Sequence, residues 1–70
     1  MKDIEFENNL RLARAEKQLN QQALADLVGV TRQTIGLIEA GKYNPTLKLC
    51  LLLMQALDKS LDELFWIKKD

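Results

Sequence analysis

Residues 21–35 read QQALADLVGVTRQTI and carry the strongest structural signal in this 70-residue chain. Apolar residues recur at helical spacing up to Val28, and Gly29 then supplies a residue that can take a positive φ after a helix end. Thr31 follows two residues later and can cap a second helix, with Ile35 on its apolar face. The stretch predicts two short helices joined by a turn of about three residues.

Small and branched apolar residues in this stretch are expected to fix the angle between the two helices. Ala25 is small where steeply crossing helices approach closely, and Val30 can fill the corner between them. Ile35 can pack the second helix back onto the first. The N-terminal end of the second helix then projects from the domain, with outward side chains at Arg32, Gln33 and Thr34.

These three outward side chains are of types that pair with the edges of DNA bases. Arginine pairs with guanine, glutamine with adenine, and a threonine methyl group contacts the methyl group of thymine. Solvated residues in the first turn of any helix can have the same composition, so the three residues alone leave both interpretations open. The pattern around them favours a role in binding DNA.

Two more helices are predicted, one on each side of this pair. A helical pattern begins after Asn8 or Asn9, which are plausible caps, and runs to about Lys17. Thr46 can cap a helix over residues 47–57 that is apolar nearly all round. We expect this fourth helix to be buried on all sides, as the central element of the core.

A fifth helix begins at residues 60–63, whose sequence SLDE is typical of a capping box. Residues 65–67 (FWI) form its aromatic tip, and no alternating run in the chain indicates a strand. The predicted fold is all-α, with five short helices in one domain over residues 1–70. Residues 1–7 are expected to form an arm or a ragged start, unless Ile4 and Phe6 fold back onto the domain, and the helix-turn-helix covers about residues 20–40.

The composition excludes several classes of function. The chain has no histidine and one cysteine, Cys50, so it cannot form an internal disulfide, and a zinc site or a histidine-based catalytic centre is hard to build. We therefore expect neither an enzyme nor a cofactor. The longest apolar run, residues 49–54, is far shorter than the roughly 20 residues of a membrane span. A cytoplasmic protein without membrane contact is predicted.

The formal net charge is zero, whereas DNA-binding domains usually carry an excess of basic residues. The charges are unevenly distributed, because residues 11–48 contain six basic and three acidic side chains. The basic ones are Arg11, Arg14, Lys17, Arg32, Lys42 and Lys48, and the acidic ones are Glu16, Asp26 and Glu39. The middle of the chain is therefore compatible with a nucleic-acid partner.

Five segments together resemble the Cro/repressor-type (XRE-like) helix-turn-helix family. They are Leu19-Asn20-Gln21-x-x-Leu24-Ala25, Val28-Gly29-Val30-Thr31-x-x-Thr34-Ile35, Ile38-Glu39-x-Gly41, Asn44-Pro45 and Ser60-Leu61-Asp62-Glu63-Leu64-Phe65. The resemblance covers about residues 8–67. It implies a compact domain of the lambda-repressor type that binds double-stranded DNA.

The resemblance also implies a role for individual residues. Base reading falls on the start of the third helix, at Arg32, Gln33 and Thr34. Contacts to DNA phosphates fall on Gln21, Thr31, Lys42, Tyr43 and Asn44. An ion pair that supports the third helix is expected between Arg14 and Glu39.

Two residues of the third helix depart from the family pattern. Gly36 lies inside the helix, where glycine costs about 1 kcal/mol relative to alanine. Leu37 stands where some relatives carry a polar base reader, and at most it touches a thymine methyl group. The readout of bases is therefore expected to be short.

The function implied by the resemblance is transcriptional regulation, with repression as the expected mode. One short helix reads too few base pairs to find a unique site, so we expect a homodimer on a palindromic operator, with its two reading helices about 34 Å apart. Trp66 and Ile67 are candidates for the dimer interface, although they can also close the core of a single copy. No pocket for a small-molecule effector is indicated.

A second class of function stays open at this point. An antitoxin-like module that mainly holds a protein partner would use the same apolar residues 65–67 and would bind DNA only secondarily. The loop residues do not separate the two classes, because Lys42 and Asn44 are also ordinary turn residues before a proline.

Overall fold

The computed structural model describes residues 3–69, which form five helices and two short strands. In chain order these are β1 (Phe6–Asn8), α1 (Leu10–Glu16), α2 (Gln21–Val28), α3 (Arg32–Glu39), α4 (Leu47–Leu57), α5 (Leu61–Leu64) and β2 (Phe65–Ile67). The predicted five-helix fold is confirmed, with a strand pair in addition. No helix in this part of the chain is both long and apolar enough to cross a membrane.

Three helices begin at a short polar side chain that accepts a hydrogen bond from the first turn. The caps are Asn20 for α2, Thr31 for α3 and Thr46 for α4, and their oxygens accept backbone N–H groups at 2.8, 3.2 and 3.1 Å. Such caps satisfy N–H groups that have no partner within the helix. The predicted starts of these three helices are confirmed.

The turn between α2 and α3 has the predicted geometry. Gly29 takes φ +76°, a left-handed conformation that glycine adopts without steric cost, and its N–H donates to the carbonyl of Ala25. Ala25 is fully buried, and Val30 packs against the edge of the core. The turn directs α3 across α2 and leaves the first turn of α3 at the surface.

Helices α1 to α5 share one apolar core. Its buried residues are Leu10, Ala13, Leu24, Ala25, Val28, Ile35, Ile38, Leu49, Leu53, Leu57 and Leu64. Both apolar positions of the helical face of α3 belong to it, so the orientation of α3 is set by packing.

The prediction that the chain contains no strand was wrong. β1 and β2 pair in antiparallel fashion, with Glu7 opposite Trp66. The rings of Phe6 and Phe65 meet edge to face, with centroids 6.1 Å apart. Strands of three residues are too short to show an alternating pattern, and their partners lie at opposite ends of the chain. Residues 6 and 7 therefore belong to the folded domain, while Met1 and Lys2 lie outside the described residues.

The prediction that α4 is buried on all sides was also wrong. Leu49, Leu53 and Leu57 face the core at helical spacing, but the side chains of Leu47 and Leu51 are 69% and 53% exposed. The core has room for only one face of α4. The opposite face is consequently apolar and in contact with solvent.

The start of α1 shows how the N-terminal segment is held. The side-chain Oδ1 of Asn8 accepts the N–H of Leu10 at 3.1 Å, and its Nδ2 donates to the carbonyl of Ile38 at 2.9 Å. Asn9 occupies the cap position without a side-chain bond to the helix. Asn8 thereby links β1, α1 and the last turn of α3.

The capping box predicted for α5 is confirmed. The carboxylate of Glu63 accepts the backbone N–H of Ser60 at 2.9 Å, and this hydrogen bond lowers the pKa of Glu63. The prediction that residues 65–67 form the tip of this helix was wrong. The helix ends at Leu64, because Phe65 already has extended backbone angles and enters β2.

A polar network joins α1, α2 and α3, and it contains the predicted ion pair. Arg14 donates through Nε to Glu39 Oε2 at 2.8 Å and through Nη2 to Glu39 Oε1 at 3.2 Å. Its Nη1 donates to the carbonyl of Leu19 at 3.0 Å, and Gln21 Nε2 donates to Glu39 Oε1 at 3.2 Å. The side chains of Arg14 and Glu39 are only 14% and 10% exposed. Removing one partner would therefore leave a charge nearly buried and unpaired.

We expect Phe6→Ala to lower the free energy of unfolding by about 2 kcal/mol, because it removes a half-buried ring that packs on Phe65. Urea denaturation measures this loss. The matched variant Glu7→Ala, at the neighbouring exposed position, should change stability by less than about 0.5 kcal/mol. Equal stability of the Phe6 variant and the wild type would contradict a structural role for the strand pair.

Glu39→Leu should destabilise the fold by about 3 kcal/mol, because Arg14 keeps its charge without its partner. The double variant Arg14→Met with Glu39→Leu should recover most of that loss, since it replaces the pair by apolar side chains. Thermal and urea denaturation of the single and double variants test the pair. If the loss of stability in the double variant equals the sum of the losses in the two single variants, the two residues act independently.

Candidate nucleic-acid interface

The predicted base readers in the first turn of α3 differ in their exposure to solvent. Arg32 and Gln33 are exposed, whereas Thr34 is half-buried. The hydroxyl of Thr34 lies 3.1 Å from that of Thr31, so it is turned back toward the helix cap. Arg32 and Gln33 are the two side chains that are free to extend from the surface. Thr34 offers its methyl group more readily than its hydroxyl.

A second group of predicted residues lies directly beside this turn. Gln21, the first residue of α2, lines one hollow with Gln22, Thr31, Arg32, Gln33, Gly36 and Leu37. We call this the polar hollow. Because α2 and α3 both begin here, the predicted phosphate contacts Gln21 and Thr31 are brought together with the predicted base readers.

The amide of Gln21 has a fixed orientation in the polar hollow. Its Nε2 carries two hydrogens, and the bond to Glu39 uses one of them. The second N–H is available to an acceptor outside the protein. The link from Gln21 to Glu39 was not predicted, because their separation of 18 residues leaves no local sequence signal.

The loop after α3 carries the remaining predicted phosphate contacts on a different part of the surface. Gly41 takes φ +74°, and Lys42, Tyr43 and Asn44 are all exposed. None of the three lines the polar hollow. Asn44 instead lines a hollow whose other residues include the acidic Asp3, Glu5, Glu7 and Glu39. The phosphate contacts therefore form two groups, and an acidic segment borders the second.

Trp66 and Ile67, the candidates for a dimer interface, are 43% and 60% exposed. They belong to what we call the apolar groove, which is lined by Ile4, Phe6, Asn44, Pro45, Cys50, Leu61, Phe65, Trp66 and Ile67. Partial burial raises the pKa of the Cys50 thiol above its ordinary value, so the thiolate form is disfavoured at neutral pH.

Sequence reasoning missed most of this apolar surface. The exposed Leu47 and Leu51 lie one turn apart on α4, and Cys50, which lines the groove, lies between them in the sequence. Ile4 and Leu61 join it from the N-terminal segment and from α5. The available signal was the composition of α4, which is more apolar than one core-facing side requires.

Among residues 3–69, no three His, Cys, Asp or Glu side chains are grouped so that they could hold a metal ion.

Comparison with known proteins agrees with this geometry. The Helix-turn-helix family profile matches residues 10–64, which include all five helices. The chain is 36% identical over 65 residues to the uncharacterized HTH-type transcriptional regulator YgzD of Bacillus subtilis, and 39% identical over 65 residues to MJ0272 of Methanocaldococcus jannaschii, which has the same description. Each alignment covers 93% of this chain and 98% of the relative.

A solved structure gives the same result in three dimensions. The restriction-modification controller protein C.AhdI from Aeromonas hydrophila superposes with a TM-score of 0.71 and is 41% identical. The alignment covers 77% of this chain and 82% of that protein. The match includes the helix-turn-helix, and the relatives are similar along nearly their whole length. The chain therefore belongs to the XRE-like helix-turn-helix family of DNA-binding transcriptional regulators.

Proposed function

We propose that this chain is a repressor that binds a palindromic operator in double-stranded DNA as a homodimer, without catalytic activity. One observation carries the proposal. Arg32 and Gln33 are exposed on the first turn of α3, whose orientation is set by the buried Ile35 and Ile38. A rigid helix with exposed polar residues at its N-terminal end fits the major groove of DNA.

The roles that we propose for the individual residues follow from the chemistry of their side chains. Arg32 reads guanine through two parallel hydrogen bonds, and Gln33 reads adenine. Gln21 donates its second amide N–H to a phosphate, next to the hydroxyl of Thr31. Lys42, Tyr43 and Asn44 contact the DNA backbone at a second point, so that the duplex is held on both sides of α3.

The dimer is proposed from the distribution of exposed apolar side chains. Nine large hydrophobic side chains are exposed among residues 3–69, and six of them belong to the N-terminal segment, α4, α5 and β2. These six are Ile4, Leu47, Leu51, Leu61, Trp66 and Ile67. A second copy that packs the same surface against it by two-fold symmetry would remove this surface from water.

Repression is the regulatory mode that we propose. A compact domain that occupies a promoter excludes other proteins from that DNA, and this requires no further surface. C.AhdI, at 41% identity, is named a restriction-modification controller protein, which supports a regulatory role for this chain. No effector is proposed, so the concentration of the protein would set the occupancy of its operator.

The exposed apolar groove also favours a second candidate function. An antitoxin-like module would use the groove to hold a different protein, and its binding to DNA would be secondary. The two candidates differ in what happens to the purified chain alone. A repressor dimerises and selects a DNA sequence, whereas a partner-binding module does neither strongly.

Selection of bound sequences from a random duplex library tests the proposal directly. The experiment uses the purified protein at about 0.1 M salt, because affinity for DNA has meaning only at a stated ionic strength. We expect enrichment of a palindrome whose half-sites lie about one helical turn apart. No enrichment at any protein concentration would overturn the proposal in favour of the partner-binding module.

Arg32→Ala should weaken binding to the selected sequence by about 1–3 kcal/mol and relax the preference at one base pair. Lys42→Ala should weaken binding to all duplexes about equally and reduce the salt dependence of binding. Lys69→Ala is a charge-matched control at the exposed C-terminal end and should have little effect. Unchanged base preference in the Arg32 variant would remove Arg32 from the reading set.

Ile67→Glu should convert the dimer to a monomer, because it places a charge in the proposed apolar interface. Sedimentation equilibrium measures the association, and weaker binding to the palindrome should accompany the loss. Leu27→Glu is a matched control, since Leu27 is exposed to a similar extent, 62% against 60%, but lies on α2 outside the groove. A dimer that survives the Ile67 substitution would contradict this interface.

A further inference from the structure

Gly36 is a glycine that the fold does not require. It lies inside α3, and its φ is not positive, unlike those of Gly29 and Gly41. A Cβ atom added at this position would meet one neighbour, Nε2 of Gln21, at the ordinary contact distance of 3.9 Å. An alanine would therefore fit without a clash and would favour the helix, since glycine is among the weakest helix formers.

The surroundings of Gly36 indicate which group would use the space left by its missing side chain. Residues 32, 33, 36 and 37 form the side of α3 that faces away from the core, and Gly36 lies one turn after Arg32. On its other side lies the amide of Gln21, which Glu39 holds in place. Gly36 is thus part of the floor of the polar hollow, where the helix backbone itself is open to a ligand.

The donors around this floor suit a phosphate. The second N–H of the Gln21 amide and the hydroxyl of Thr31 border the polar hollow, and both can donate to a phosphate oxygen. The guanidinium group of Arg32 adds a positive charge on the same side. No acidic side chain lines this hollow.

We propose that Gly36 sets how closely the sugar–phosphate backbone of DNA approaches α3. The missing side chain lets a phosphate sit over the helix backbone beside Gln21, and this depth in turn allows Arg32 and Gln33 to reach the base edges. Glycine at position 36 thus favours DNA binding at the expense of helix stability. The inference rests on the proposed DNA-binding function and extends it to a residue that makes no side-chain contact.

Gly36→Ala tests this inference, because its two expected effects have opposite signs. The midpoint of urea denaturation should rise, while affinity for the selected palindrome should fall about tenfold, the effect of one extra methyl group in a tightly packed contact. Affinity for a random duplex should also fall, because every duplex has the same backbone, but by no more than affinity for the palindrome, which also loses contacts of Arg32 and Gln33 with the base edges. Gly36→Val should weaken both interactions further.

Ala15→Gly is the matched control, because it makes the reverse exchange at an exposed position of α1. It should lower stability and leave affinity for DNA unchanged. A Gly36→Ala variant that binds as tightly as the wild type would overturn the role of Gly36 alone. A changed base preference with unchanged affinity for random duplex would overturn the phosphate assignment. Failure of the wild type to bind any duplex would overturn both this inference and the proposed function.

Discussion

The arrangement of the first three helices depends on the hydrogen bonds that the carboxylate of Glu39 accepts. It accepts two hydrogen bonds from Arg14 of α1 and one from Gln21 of α2, while its own backbone ends α3. The group is nearly buried, so removing Arg14 would leave a buried charge without its partner. One side chain thereby ties the end of α3, which apolar packing orients, to α1 and α2, and it also orients an amide at the surface. The Glu39 carboxylate therefore supports both the fold and the proposed phosphate contact.

A chain with no net charge can still present DNA with a suitable surface, because the charges are separated in space. Arg32 borders the polar hollow, which has no acidic lining, whereas Asp3, Glu5 and Glu7 line a separate hollow together with Asn44 of the loop that follows α3. Acidic residues beside that loop would repel a DNA backbone placed there and so limit the surface that a duplex can use. The distribution favours one orientation on DNA over non-specific attachment.

Features encoded by neighbouring residues were predictable from the sequence. The caps Asn20, Thr31 and Thr46 and the turn at Gly29 depend on residues within one turn, and all of them are present. The strand pair and the bond from Gln21 to Glu39 join distant residues, so no local pattern reveals them. The exposed apolar side of α4 was not predicted, because an apolar residue in the sequence is equally compatible with a core position and with an interface. The grouping of the candidate contacts likewise required the three-dimensional structure.

The two proposed surfaces meet at one short segment, and this makes them physically dependent on each other. Asn44 lines the apolar groove together with Trp66, and it also belongs to the loop that is proposed to contact the DNA backbone. A second copy packed in the groove would restrict that loop before DNA arrives, so that less conformational entropy is lost on binding. Because coupling between two binding events is reciprocal, DNA would strengthen the dimer by the same factor. In this proposed arrangement, self-association would raise the affinity of the domain for DNA through the placement of one loop.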